Sequence, residues 1–325
     1  MWEKHKIYYK KKPNIFNFNN NLFFKFKNLI NKFKTIFIFI SLYTIMILNI
    51  QKNIKVALCT MGKKENLYVK EFINYYFKLG IDKIFIIDDN DKNSERISDM
   101  VDFKFKHFVK IYKSKNLKSL KQSKQFTFCY TKNKNKFDWI LMVDMDEFLY
   151  IKNDRLKNYL LKPVFKKCDF IKFHWVIAND NNHLHYENKP LFERFKGPYK
   201  KSILIKSIIR GNIPNLKYLV HSPYISPLRN ISCNNEGQII NNSRIDYEFI
   251  KNINIKRAFI IHFKYKSTEE YINKIKRGYH CWTKSYILKT RIKTYFEDNK
   301  ITKEKKKYFE KELKINLSNY IKKYK

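Results

Sequence analysis

The chain has 325 residues, of which 44% are hydrophobic and 17% aromatic, enough to bury a large core and to exclude disorder over most of its length. Its 68 Lys and Arg against 29 Asp and Glu leave a formal charge of +39, which would ordinarily point to a polyanionic partner. Here the surplus is mostly Lys, runs through the whole chain, and accompanies abundant Asn, Ile, Tyr and Phe and only 6 Gly, the pattern of an AT-biased genome.

Residues 1–53 form a basic N-terminal segment around an uncharged run, Thr35 to Ile50 (TIFIFISLYTIMILNI). At about 1.5 Å of rise per residue the run is somewhat short of a hydrocarbon core of about 30 Å. The lysines before it, from Lys4 to Lys34, outnumber those just after it, which favours a cytoplasmic N-terminus. The expectation is an N-terminal hydrophobic helix that anchors the chain in a membrane as a single pass, with the catalytic part on the far side. A buried or interfacial helix is the alternative.

From Ile54 the pattern changes to short apolar runs alternating with amphipathic stretches, the mark of βαβ units and a largely parallel sheet. Lys55 to Thr60 reads as a first strand, and Asn66 to Leu79, with Val69, Phe72, Ile73, Tyr76 and Phe77 at helical spacing, as a helix capped by Gly80. Lys83 to Ile87 and Asp138 to Val143 read as buried strands that run into acidic residues. Ligands of open α/β sheets bind beyond the carboxyl ends of strands. Further strands are expected at Phe170 to Ile177, Ser202 to Ile209 and Ala258 to Phe263, with helices from Ser267 onward. Residues 291–325 read as a Lys-rich C-terminal helical tail, of which Lys300 to Lys325 looks like a solvated flank. The five cysteines, Cys59, Cys129, Cys168, Cys233 and Cys281, show no C-x-x-C pair and no metal-ligand spacing. Neither a zinc site nor a disulfide framework is expected.

The sharpest chemical feature is Asp144-Met145-Asp146 directly after an apolar strand. Two carboxylates at i and i+2 can reach one hard cation and leave positions open for diphosphate oxygens. Asp88, Asp89 and Asp91 follow the previous strand, where a carboxylate can accept from a ribose or nucleobase, although D-N-D is also good turn chemistry. His262, on an otherwise apolar strand, is either a nitrogen ligand to the same cation or a core histidine. Ser267 and Glu270 have capping-box spacing. Lys266, Lys274 and Arg277 are placed to pair with phosphates.

With these residues in view, the chain resembles the family 2-like and family 92 glycosyltransferases. The resemblance runs in order from about Lys55 to Gly278. It comprises Glu65 to Ile84 with Ile87-Asp88-Asp89-Asn90-Asp91, then Asp138-Trp139-Ile140 with Asp144 to Leu149, then Trp175 with Asn179 to Asn182 and Lys189 to Phe195, and finally His262 with Lys266 to Glu270. It implies a GT-A (Rossmann-like) α/β domain over residues 54–290, with a mixed, mostly parallel sheet flanked by helices. It also implies a nucleotide-diphosphate sugar donor, a Mn²⁺ or Mg²⁺ ion, and inverting transfer to a glycan, glycoprotein or glycolipid hydroxyl. Carried over by position, Asp88 and Asp89 would contact the nucleoside, Asp144 and Asp146 the ribose and metal diphosphate, with both acids and His262 as metal ligands and Lys266 on the cofactor side.

Inversion needs a carboxylate to take the acceptor proton. Asp180, in a polar loop, is the first choice and Glu193 the reserve; a turn role and an ion pair with Arg194 are their structural alternatives. Trp175 is either a sugar platform or core packing. Two rivals come from other classes: a nucleic-acid-binding protein, disfavoured because the acids gather at strand ends, and a catalytically silent membrane-anchored scaffold.

Overall fold

A computed structural model describes residues 20–49, 54–91, 93–113, 122–224, 230–240, 250–277 and 284–320, without the side chains of 20–26, 42–49 and 284–287. The chain divides into two compact units, 1–53 and 54–325. The first holds α1 (Asn20–Asn49), on which Leu29, Phe33, Phe37 and Phe39 are exposed. Among the described residues no helix is long and apolar enough to cross a membrane. The later half of the predicted apolar run, from residue 42, has its side chains outside the described residues.

The second unit is mixed α/β. Its larger sheet runs β3 (Val109–Lys113), β2 (Lys83–Asp88), β1 (Val56–Gly62), β4 (Trp139–Met142), β7 (Tyr199–Arg210), β6 (Phe170–Ala178), β11 (Ala258–His262), β5 (Glu147–Ile151), with β10 (Ser232–Cys233) on β6. The first four are mutually parallel, as alternation of buried strands with crossovers requires. β7 runs antiparallel between β4 and β6, and β5 antiparallel to β11. A two-stranded sheet joins β8 (Lys217–Tyr218) and β9 (Pro223–Tyr224).

Only Val143 to Asp146 connect β4 to β5, yet β7, β6 and β11 lie between them in strand order. A flat sheet would separate them by four spacings, roughly 19 Å. The connection reaches only roughly 14 Å, because it closes in a turn in which Glu147 N donates to Asp144 O at 3.1 Å. The sheet therefore curls at the carboxyl end of β4, bringing β11 and β5 to the acidic turn. Gly62 faces this turn, where a β-carbon would lie 2.7 Å from Ile97 Cδ1 and 3.1 Å from Met145 Cε.

α2 (Val69–Leu79) buries Val69, Phe72, Ile73 and Tyr76, and Gly80 ends it at φ +99°, the left-handed cap expected of it. Its hydroxyls cover the outer edge of β5: Tyr75 donates to Leu149 O at 2.9 Å, and Tyr76 donates to Glu147 O at 2.8 Å while accepting from Leu149 N at 3.0 Å. The edge strand thus has its polar backbone satisfied without another strand.

Two sequence expectations are corrected. Four of the cysteines pair, Cys59 with Cys129 and Cys168 with Cys233; Cys281 lies outside the described residues. The pairs are 70 and 65 residues apart in sequence, so no local spacing could reveal them. The C-terminal region is no mere flank: α7 (Lys284–Asp298) and α8 (Lys303–Leu313) place Ile292, Tyr295, Phe296 and Phe309 in the main core.

Candidate active site

A cavity of about 460 Å³ opens at the curled end of the sheet. β4 and its turn contribute Asp144, Met145 and Asp146; β6 and β11 contribute Trp175 and His262; the segment after β1 contributes Lys63 and Glu65. The helix α3 (Gln122–Asn133) adds Gln122 and Gln125, and α6 (Thr268–Lys276) with its C-cap adds Lys274 and Arg277.

Each acid of the turn meets a lysine. Asp144 accepts from Gln122 Nε2 at 2.7 Å on Oδ1 and from Lys206 Nζ at 2.9 Å on Oδ2. Asp146 accepts from Lys274 Nζ at 2.5 Å on Oδ2, and its Oδ1 lies 3.5 Å from His262 Nε2. Glu147 is wholly buried; its Oε2 accepts from Asp144 N at 3.0 Å and lies 3.5 Å from Lys206 Nζ. The β5–β11 register sets Glu147 directly opposite His262, which makes the two side chains neighbours on one face.

Burial works to raise the Asp146 carboxyl, but the Lys274 ammonium and the His262 ring outweigh it and hold it well below the usual carboxylate range. For Glu147 burial wins: with Asp144 and Asp146 adding to it, the carboxyl goes well above its ordinary value despite Lys206. Burial lowers the His262 ring against the pull of Asp146, and lowers His221, with Lys206 adding to the effect. Lys264, also on the cavity wall, is brought down to about 8 by burial, against Asp298.

Asp146, Glu147 and His262 each offer one ligand atom, and the three atoms lie within 4.8 Å of one another. Glu147 Oε1 is buried with no hydrogen-bond partner among the described residues, a costly state for a carboxylate oxygen. An ion between these groups would satisfy it. Two carboxylate oxygens and one imidazole nitrogen suit Mn²⁺, and with added water or phosphate oxygens Mg²⁺. The residues present fit a divalent cation.

The cavity brings together Asp89, Asp144, Asp146, Trp175, His262, Lys274 and Arg277 of the residues singled out in the sequence. Five others stand elsewhere. Asp91 is exposed and pairs with Lys64 at 3.6 Å. Asp88 accepts from Asn90 N at 3.0 Å and Ile97 N at 3.2 Å, shaping the turn after β2. Lys266 points to Glu65 Oε2 at 2.8 Å and packs over the Tyr68 ring, so it acts through Glu65 rather than lining the cavity. Asp180 is buried against Lys305 Nζ at 2.6 Å and the Tyr295 hydroxyl. Glu193 is exposed on α5 (Leu191–Arg194), while its neighbour Arg194 pairs with Glu270 at 2.7 Å. Neither Asp180 nor Glu193 lines the cavity.

Sequence reading missed Glu147 and Lys206. A signal for Lys206 was present: a single lysine in the apolar run Ile203 to Ile209 has to find an anion if that run is a buried strand. Glu147 needed the β5–β11 register, which no local pattern shows.

No known family profile matches the chain. It is similar to a family 92 glycosyltransferase of Oryza sativa subsp. japonica, 29% identical over 113 residues that make up 33% of this chain and 19% of the rice protein. It is also similar to one of Ricinus communis, 24% identical over 106 residues, 31% of this chain and 18% of that protein. The matches span under a fifth of the length of these relatives. They bear out the resemblance to family 92 glycosyltransferases. Among solved structures, S. aureus TarS residues 1–349 give a TM-score of 0.30 at 13% identity, covering 48% of this chain and 47% of that one. Mannosyl-3-phosphoglycerate synthase from Rubrobacter xylanophilus gives 0.29 at 15%, covering 48% and 53%. These structural likenesses are too slight to carry an argument.

Proposed function

We propose that this chain, similar in sequence to family 92 glycosyltransferases, is a GT-A-type glycosyltransferase that moves a hexosyl group from a nucleotide-diphosphate sugar to a hydroxyl of a glycan, glycoprotein or glycolipid. The observation that carries the reading is the cavity itself, where Asp144, Asp146 and His262 face Lys63, Lys274 and Arg277 beyond the end of a central parallel strand. Its volume is that of a small-molecule site, and its paired signs suit a cation and a diphosphate together.

Asp146, Glu147 and His262 would hold Mn²⁺ or Mg²⁺, which in such sites neutralises charge developing on the departing nucleoside diphosphate. Lys274 and Arg277 sit where they can pair with phosphate oxygens. Arg277 is positioned by Glu65 Oε1 at 2.6 Å, and Glu65 in turn by Lys266. Asp89 is the cavity residue suited to accept from the nucleoside. Inversion requires a base at the acceptor hydroxyl, and since Asp180 and Glu193 do not line the cavity, that role goes to a carboxylate that does. The partners in this reading are a nucleotide sugar and a hydroxyl acceptor, not nucleic acid.

The test is a screen of nucleotide sugars for Mn²⁺-dependent donor hydrolysis. Turnover with at least one donor, falling 100-fold or more in Asp146→Ala, is expected; no turnover with any donor would overturn the reading. Membrane attachment through residues 35–50, with the N-terminus cytoplasmic and the cavity on the far side, belongs to the same proposal. Two disulfides in the second unit support it, since they persist in oxidising compartments. Extraction of the full chain from membranes by alkaline carbonate would overturn this part.

A further inference from the structure

Lys206 carries an ammonium that no solvent reaches, at the centre of the acidic turn. Its side chain is 0% exposed. Its hydrogen bonds go to Asp144 Oδ2 at 2.9 Å and Val220 O at 3.2 Å, and Glu147 Oε2 lies 3.5 Å away as a second, longer ion pair. A buried ammonium held in this way has no alternative position and cannot withdraw into water.

We infer that Lys206 is a positioning residue that withholds Asp144 from the divalent cation, so that the ion's carboxylates are Asp146 and Glu147. The inference rests on the metal-dependent reading above and deepens it. Both oxygens of Asp144 are already engaged, Oδ1 by Gln122 and Oδ2 by Lys206. To ligate an ion, Asp144 would have to give up one of these donors and draw a dication close to a fixed positive charge. Asp146 and Glu147 differ. The Asp146 oxygen facing His262 lies opposite the one that Lys274 occupies. Glu147 Oε1 has no hydrogen-bond partner among the described residues, and it is the other oxygen, Oε2, that lies 3.5 Å from Lys206.

Mn²⁺ affinity, measured calorimetrically and by the electron paramagnetic resonance of free Mn²⁺, tests this without reference to turnover. Asp146→Asn and Glu147→Gln are expected to weaken Mn²⁺ binding at least tenfold, and Asp144→Asn by less than threefold, all with melting temperatures showing a folded protein. In a Lys206→Met background, where Asp144 is released, adding Asp144→Asn is expected to weaken binding at least tenfold. A loss in Asp144→Asn alone equal to that in Asp146→Asn overturns the assignment. So does retention of affinity in Glu147→Gln. If Lys206→Met does not fold, the three carboxylate variants decide by themselves. Wild-type protein that binds no Mn²⁺ would overturn this inference and the metal in the proposed function, while donor hydrolysis without metal would still distinguish a working transferase.

Discussion

Asp146 and Asp180 are both buried carboxylates paired to a lysine, at 2.5 and 2.6 Å, yet their surroundings assign them different work. Asp146 lies on a cavity wall beside His262, whereas Asp180 is closed in by Lys305, the Tyr295 hydroxyl and its own turn, with Asn182 N donating to Oδ1 at 3.0 Å. Removing one partner of a buried ion pair leaves an uncompensated charge and costs about 3–5 kcal/mol. Asp180→Ala is therefore expected to lower stability by about that amount, measured by urea unfolding, while nucleotide-sugar affinity of the folded fraction stays within threefold. A loss of affinity with unchanged stability would return Asp180 to the active site.

At the scale of elements, β5 is the piece on which the site turns. It presents Glu147 to His262 across the β11 pairing, and its outer edge is held by hydroxyls of α2 rather than by a strand. Tyr76 serves as donor to Glu147 O and acceptor from Leu149 N, so its loss leaves two buried backbone groups without partners. Tyr76→Phe keeps the ring packing against Phe72 and Phe148 and removes only these bonds. The expected cost is about 2–4 kcal/mol, from one to three for each orphaned group with some relaxation, read from denaturant unfolding. Hydrogen exchange of the Leu149 amide should accelerate. Phe72, Ile73 and Tyr76 were legible as one face of a helix, but the destination of the Tyr76 hydroxyl was not, because it lies 71 residues away along the chain.

Over the whole molecule two sets of buried groups, lowered histidines and raised carboxyls, respond to acid in opposite senses. Burial lowers the rings of His174, His221 and His262 below their ordinary 6.5. Each stays neutral in the native state where the unfolded chain takes up a proton, so its contribution to stability is complete above pH 6.5 and is lost as pH falls below it. Asp146 and Glu65, both held low by nearby cations against the effect of burial, add a second loss below about pH 4. Glu71, Glu147 and Glu270, raised by burial, take up protons in the native chain first and offset part of this loss; His174→Gln, which removes one histidine's share, is therefore expected to lessen the fall of melting temperature between pH 6.5 and 5, and an unchanged slope would contradict this.

Local pattern determined a good deal by itself. Apolar runs marked β1, β2 and β4, the acids after the last two put Asp89, Asp144 and Asp146 at their carboxyl ends, and the spacing of Val69, Phe72, Ile73 and Tyr76 marked α2, because strand and helix periods are local properties. The capping box at Ser267 and Glu270 was legible for the same reason, and both of its bonds are present. Tertiary structure alone decided that Glu147 faces His262, that Lys206 lies beneath the acidic turn, that Asp180 pairs with Lys305, and that four cysteines join. Each depends on residues far apart in the chain that the pairing of strands and the packing of helices bring together. Contacts between such distant segments follow from how buried faces pack, which no window along the chain contains.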